Sequence, residues 1–236
     1  MTSALWQRPI ERIYGKDDRI TFIPLAEGQT LPPSGLPTAI RVTTAASAGA
    51  TSLAVTLVGG TTLPKANCLF LAFEHPVTGE EFLAEVDGNF SSGTLPVKPL
   101  DEPIPENAVA KFPHRLLGLV SFSWGNRGVD FAVSAPITRK GWENVQPTTR
   151  SNELTAEAEF YALGADYFTL NYCLNNALEV WIRETSNTPK AGFVGEIREA
   201  RYFVAGMERG ANNDVPICTW RFRRNGEEYF TRAKKA

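Results

Sequence analysis

Two stretches of this chain are imperfect copies of one strand–turn–strand unit, and that duplication constrains the fold more than any other feature. The first copy runs Ser47-Ala48-Gly49-Ala50-Thr51-Ser52-Leu53-Ala54-Val55 and is followed by Leu63-Pro64-Lys65-Ala66-Asn67. The second runs Ser91-Ser92-Gly93-Thr94-Leu95-Pro96-Val97 and is followed by Ile104-Pro105-Glu106-Asn107-Ala108. Leu53 and Leu95 are 42 positions apart and Leu63 and Ile104 are 41, so the copies keep their register. Neither copy holds a catalytic group. A repeated supersecondary unit without chemistry points to a protein that presents surfaces.

The rest of the chain reads as β structure with one helix. Between Thr38 and Pro113, short alternating runs (Ile40–Thr43, Leu53–Leu57, Cys68–Phe73, Glu81–Val86) are separated by turn signals at Gly59-Gly60, Asp87-Gly88 and Ser92-Gly93. Thr78-Gly79-Glu80, between two apolar runs, predicts a hairpin tip. Together these runs predict a small all-β module, a sandwich or half-barrel. After Leu116 the strands lengthen: Val120, Phe122 and Trp124 alternate with serines, and Val129–Ser134 follows an Asn126-Arg127-Gly128 turn. In Glu153–Phe160, Leu154, Ala156, Ala158 and Phe160 share one face, while Glu153, Thr155, Glu157 and Glu159 share the other. Glu and Ala favour a helix there, but the period of two outweighs propensity. A helix is predicted from Asp166 as cap, through Tyr167, Leu170, Leu174 and Ala177, to Asn175-Asn176. Glu196–Val204 and Pro216–Arg223 predict two closing strands ahead of a basic tail with Arg232, Lys234 and Lys235.

The first 37 residues carry Trp6, Tyr14 and Phe22 and end in Leu31-Pro32-Pro33-Ser34-Gly35-Leu36-Pro37. The prolines forbid continuous helix and predict an extended arm, docked either on a neighbour or on its own domain. The expected division is therefore an arm at 1–37, a β module with the repeat at 38–113, and a larger β-sandwich core at 114–236.

Charge and composition exclude several functions. With 24 basic and 26 acidic side chains, the formal charge of −2 argues against a dedicated nucleic-acid binder, which neutralises phosphates with a basic surface. No apolar run approaches the ~20 residues that span a bilayer. The first nine residues lack the basic-then-apolar order of a signal peptide, so synthesis inside the cell is expected. Cys68, Cys173 and Cys218 are odd in number and far apart, in apolar or aromatic surroundings, and are expected to be small buried hydrophobes. His75 and His114 each adjoin a proline and are expected on surface loops, with no nucleophile elbow beside either. Asn89-Phe90-Ser91 matches a glycosylation sequon and, with synthesis inside the cell expected, is expected to be a chance match. A glycosidase reading of Glu153, Glu157 and Glu159 fails because carboxylates in a row on one strand do not face each other across a cleft. That row fits an exposed sheet face or an anionic wall. No cofactor, no metal and no enzymatic activity are expected.

Three features resemble the tail tube proteins of long-tailed bacteriophages: the strand Gly118–Trp124 with its return Val129–Ser134; the polar loop Thr148-Thr149-Arg150-Ser151-Asn152 leading into the glutamate-rich strand; and one helix followed by two closing strands and a basic tail. The Gly-Ala-Thr-Ser-Leu unit with its Leu-Pro/Ile-Pro echo is also similar to a module of phage structural proteins. The resemblance implies a β-sandwich subunit flanked by a helix, six of which form a ring, with rings stacked into a tube. It implies that Glu153, Glu157 and Glu159, with Glu196 and Glu199, line the lumen as an acidic wall. Such a wall gives passing genomic DNA no counterion-release gain. Trp6, Tyr14 and the loop Ile137–Arg150, with Trp142 as anchor and Arg150 at its end, would bridge subunits or rings. The implied partners are further copies of the chain and other tail proteins (terminator, baseplate, and a sheath where the tail contracts), without a membrane. The implied location is the virion, after synthesis in the host cytoplasm. The module at 38–113 exceeds what a minimal tube subunit needs and is read as an outer decoration or the mark of another tail component. A second reading is a ligand- or carbohydrate-binding β-sandwich of a baseplate or tail fibre, with Trp124, Trp142 or Trp181 stacking on sugars.

Overall fold

A computed structural model describes residues 19–116, 119–124, 128–134, 144–151, 153–159, 164–186, 195–212 and 215–233. Among these residues the fold is mainly β, with two antiparallel sheets, a two-stranded ribbon and one α-helix. Six strands, β2 (Ala39–Val42), β3 (Ser52–Val58), β4 (Phe70–Glu74), β5 (Glu81–Glu85), β6 (Thr94–Pro96) and β7 (Val109–Lys111), form a sheet in the order β5-β4-β7-β2-β3-β6. The sheet curls until its edges meet: Val86 bridges Val97, and the Asp87 and Lys98 amides donate to the Pro96 and Glu85 carbonyls at 2.9 and 2.8 Å.

The repeat explains this closure. Leu53 and Leu95, equivalent in the two copies, lie directly opposite each other across β3 and β6, flanked by Ser52↔Pro96 and Ala54↔Thr94. The Val55 amide donates to the Gly93 carbonyl at 2.8 Å, and the equivalent Val97 amide to Thr51 at 3.0 Å. Val42↔Val55 in one half matches Val86↔Val97 in the other, and the Ala46–Ile104 link matches the Phe90 amide donating to Leu63. Exchanging β2 with β5, β3 with β6 and β4 with β7 leaves every neighbour relation intact. The copies are thus interlocked about a pseudo-two-fold axis, each supplying strands the other needs to bury its apolar face. Ile40, Val42, Leu53, Leu71, Phe73 and Leu95 fill the interior. The predicted hairpin tip stands between β4 and β5, with Gly79 at a positive φ of 70°.

The second sheet has seven strands in the order β8-β1-β13-β14-β15-β12-β9. They are β1 (Arg19–Pro24), β8 (His114–Arg115), β9 (Leu119–Trp124), β12 (Glu153–Glu159), β13 (Glu179–Ser186), β14 (Gly195–Asn212) and β15 (Val215–Ala233). β1 lies in the stretch expected to be an arm, and it pairs with β13 from Arg19↔Thr185 to Pro24↔Val180, so residues 19–24 pack on their own chain. β8 pairs with β1 through Thr21↔Arg115 and Phe22↔His114, so the curled six-stranded module leaves and rejoins the large sheet at adjacent strands. The closing strands are also longer than expected, running 18 and 19 residues and taking Arg232 into β15 instead of a basic tail. The pattern ends early because Asn225 and Gly226 read as a turn. Here three residues bulge opposite Arg201, and Gly226 adopts a φ of 98°.

The helix α1 (Ala165–Asn175) covers one face of this sheet. Leu170 and Cys173 pack with Ile20, Val180, Tyr202, Trp220 and Phe222, and the Tyr167 ring lies 6.0 Å from Trp220. Gly164 occupies the cap position, not Asp166; Asp166 sits in the first turn, where its Oδ1 accepts from the Tyr167 amide at 2.9 Å. Phe70 of β4 meets Phe168 at 5.6 Å and Tyr172 at 6.4 Å, so the helix also seals against the curled module. All three cysteines are buried, and burial pushes the Cys173 thiol up to about 12.

His114 is buried as well, contrary to the surface-loop expectation, because β8 carries it inward at the junction of the two sheets. Its ring stacks on Phe22 at 5.3 Å and meets Phe112 edge-on at 5.6 Å, and Nε2 has no hydrogen-bond partner. Burial lowers its pKa from 6.5 to about 4. The unfolded chain takes up this proton near pH 6.5 and the folded chain only near pH 4, so the unfolded state binds more protons in that window. Stability is therefore expected to fall as pH drops through it, by roughly 3 kcal/mol at pH 4 relative to neutrality. Urea unfolding at pH 7 and pH 4 checks this: His114→Leu should lose markedly less stability than the parent chain over the same interval.

Candidate assembly surface

The face of the large sheet away from α1 carries alternating charge and aromatic side chains. Three rows cross β13, β14 and β15: Arg183, Glu199 and Tyr229; Trp181 and Arg201 beside the bulge; and Glu179, Phe203 and Arg223. Arg183 Nε lies 3.5 Å from Glu199 Oε1, and Arg201 Nη1 lies 3.4 Å from Glu179 Oε2. Arg201 Nε also donates to the Asn225 carbonyl at 3.2 Å, while Asn225 Nδ2 donates to Glu179. Farther along β14, Glu208 accepts from Arg221 Nη2 at 2.7 Å. Phe203 and Tyr229 are 38% and 47% exposed on this face. The exposed Arg221–Glu208 pair contributes little stability, since water already solvates both partners, whereas Arg201 and Glu179 are largely shielded at 23% and 16% exposure. Together they form a surface of both signs with aromatic side chains between them, and the aromatic and Arg side chains, though not the glutamates, are types enriched where proteins meet.

The glutamates expected along the lumen fall on β12 and β14. Within β12 the expected alternation holds at Leu154, Thr155 and Ala156, which are buried, half-buried and buried; the burial of its glutamates lies outside what is described. In register, Glu153 lies opposite Arg223, Glu157 opposite Thr219 and Glu159 opposite Ile217. Glu196 lies opposite Arg232, and Glu199 is the residue paired with Arg183. β15 thus runs between the two glutamate-bearing strands with arginines at positions 221, 223 and 232, which no reading of β12 alone reveals.

Trp181 is buried, with its ring 5.7 Å from Tyr229, and backs a groove of about 450 Å³ walled by Leu31, Pro32, Pro33, Leu36 and Pro113. The residue is only 7% exposed, which leaves little of the ring to meet a sugar. Trp6, Tyr14 and Trp142 lie outside the described residues. Arg150 is not in a loop: Asn144–Ser151 forms strand β11, where Arg150 lies opposite Val129 of β10 (Gly128–Ser134). That strand takes in half of the segment expected as a loop at 137–150 and all but the last residue of the one at 148–152.

β10 and β11 continue β9 and β12 outward. β9 pairs with β12 from Leu119↔Ala158 to Trp124↔Leu154, and β10 pairs with β11 from Gly128↔Ser151 to Ser134↔Asn144. The outer half of this long hairpin has no further strand beside it among the described residues. Sequence reasoning missed this ribbon because Thr148, Thr149 and Arg150 are polar and Pro147 interrupts the pattern; the alternation in Val129–Ser134 was its one visible trace. Among the described residues, no helix is long and apolar enough to cross a membrane. Neither a family model nor a curated protein matches this chain.

Proposed function

We propose that this chain is a structural subunit that assembles with copies of itself, as in the tail tube of a long-tailed bacteriophage. The observation that carries the reading is the β10–β11 ribbon, which pairs seven residues on each side yet has no other sheet neighbour among the described residues. A lone two-stranded hairpin is marginal in water, and unpaired strand edges invite pairing with another chain. Joining copies through such edges into a ring removes the edges and satisfies the ribbon.

In this reading the exposed face of the large sheet turns toward the bore, and Glu153, Glu157 and Glu159 of β12 with Glu199 of β14 offset Arg221 and Arg223 of β15, whereas Glu196 and Arg232 fall on the other face by alternation. A wall on which positive charge is matched by carboxylates gives DNA little counterion-release gain, so a genome passes without being held. The curled module would then decorate the outside, and other tail proteins would meet the ends of the tube. Negative-stain microscopy of purified protein should show rings or rods with a central hole. Compact monomers at every concentration would overturn the reading. Lysine at Glu153, Glu157 and Glu159 together should leave rings intact while lowering phage infectivity at least tenfold. Unchanged infectivity would remove the lumen assignment.

A further inference from the structure

We propose that β11 of one copy pairs with the outer edge of β15, Arg224–Ala233, in a second copy. The inference rests on the self-assembly reading above and names the two surfaces that meet. β15 is 19 residues long and is hydrogen-bonded to β14 on one side along most of its length. On its other side, β12 covers only Ile217–Arg223. Among the described residues, the ten positions Arg224–Ala233 therefore have a neighbour on one side alone.

The strand that would naturally fill this edge is β11. It precedes β12 by a single residue, and Glu153 of β12 lies opposite Arg223. Carried on in the same antiparallel register, Ser151 would face Asn225, Thr149 would face Glu227 and Val145 would face Thr231. Instead β11 pairs with β10 and leaves the sheet, vacating the edge. The displaced strand has eight residues and the vacated edge ten. At about 3.4 Å per residue, the first fits within the second. Among the described residues β11 likewise has a strand on one side only, β10, so each edge has room for a second strand.

A second copy is the occupant these lengths favour, because it carries the strand whose departure opened the edge. Exchange of β11 between copies uses two different surfaces on each subunit, a heterologous contact that propagates into a ring or a helical array.

The test uses the full chain and two single variants, Val145→Cys and Thr231→Cys. The three native cysteines are buried and do not compete for oxidation. Mixed in equal amounts under assembling conditions and oxidised, the two variants should give a disulfide-linked dimer at least tenfold above either variant alone. Thr149→Cys mixed with Glu227→Cys checks the register and should behave in the same way. Joining β9 to β12 by a short glycine-serine turn in place of residues 127–152 should abolish rings. Should that variant fail to fold, the cysteine mixtures remain decisive. Rings that form without a cross-link in either mixture overturn this inference and leave self-assembly standing. A cross-link found only within the Val145→Cys/Thr231→Cys double variant, as a monomer, returns β11 to its own sheet and also overturns it. A parent chain that never associates removes both readings.

Discussion

Trp220→Ala is expected to destabilise the protein by about 3–5 kcal/mol, a large share of the 5–15 kcal/mol that holds a typical domain together. Trp220 is 2% exposed and lies in β15 between Ala156 of β12 and Met207 of β14. Its ring also meets Tyr167 of the helix, whose hydroxyl accepts from Arg209. Truncation removes the largest side chain in this core and leaves a cavity bounded by two strands and a helix, none of which can collapse into it without breaking its own pairing. The urea midpoint at neutral pH reads the loss directly. A loss below about 1 kcal/mol would mean that the helix does not seat on this face as described.

Leu53→Ala and Leu95→Ala are each expected to cost about 2–5 kcal/mol, and to cost similar amounts. Both side chains are fully buried and face each other at the pseudo-two-fold axis of the curled module, so each deletion opens the same cavity from an opposite side. The double variant should depart from the sum of the two, because the side chains share one set of neighbours. Additive costs of clearly different size would show that the two copies of the repeat do not occupy equivalent surroundings. Calorimetry or urea unfolding of the four chains provides the comparison.

These expectations differ in how far they were legible beforehand. The register of the repeat, the hairpin tip near Gly79, the helix through Leu170 and the two-sided pattern of β12 all follow from spacing within a few residues. In each, the buried face imposes its own period on the sequence. The positions that defied reading are those where a distant strand overrides local preference. His114 beside proline reads as loop, yet β1 draws it into the core opposite Phe22. Asn225 and Gly226 read as the end of a strand, yet β14 on one side absorbs them as a bulge and extends β15 to Ala233. The glutamate row of β12 reads as an acidic stripe, but its meaning changes once β15 places arginines beside it.

From its sequence alone, this chain is committed to alternating strands, to one helix and to a duplicated unit, because burying apolar side chains from water acts on local spacing. Which strands become neighbours was decided only in the folded molecule. The repeat interlocks about an axis, β1 and β8 frame an inserted module, and β11 departs to leave an open edge on β15. Those choices come from hydrogen-bond pairing between segments tens to hundreds of residues apart, and backbone groups that pair across such distances are the same in every residue. Nothing in a side chain names its partner strand, so the pairing emerges only when all the apolar faces are buried together.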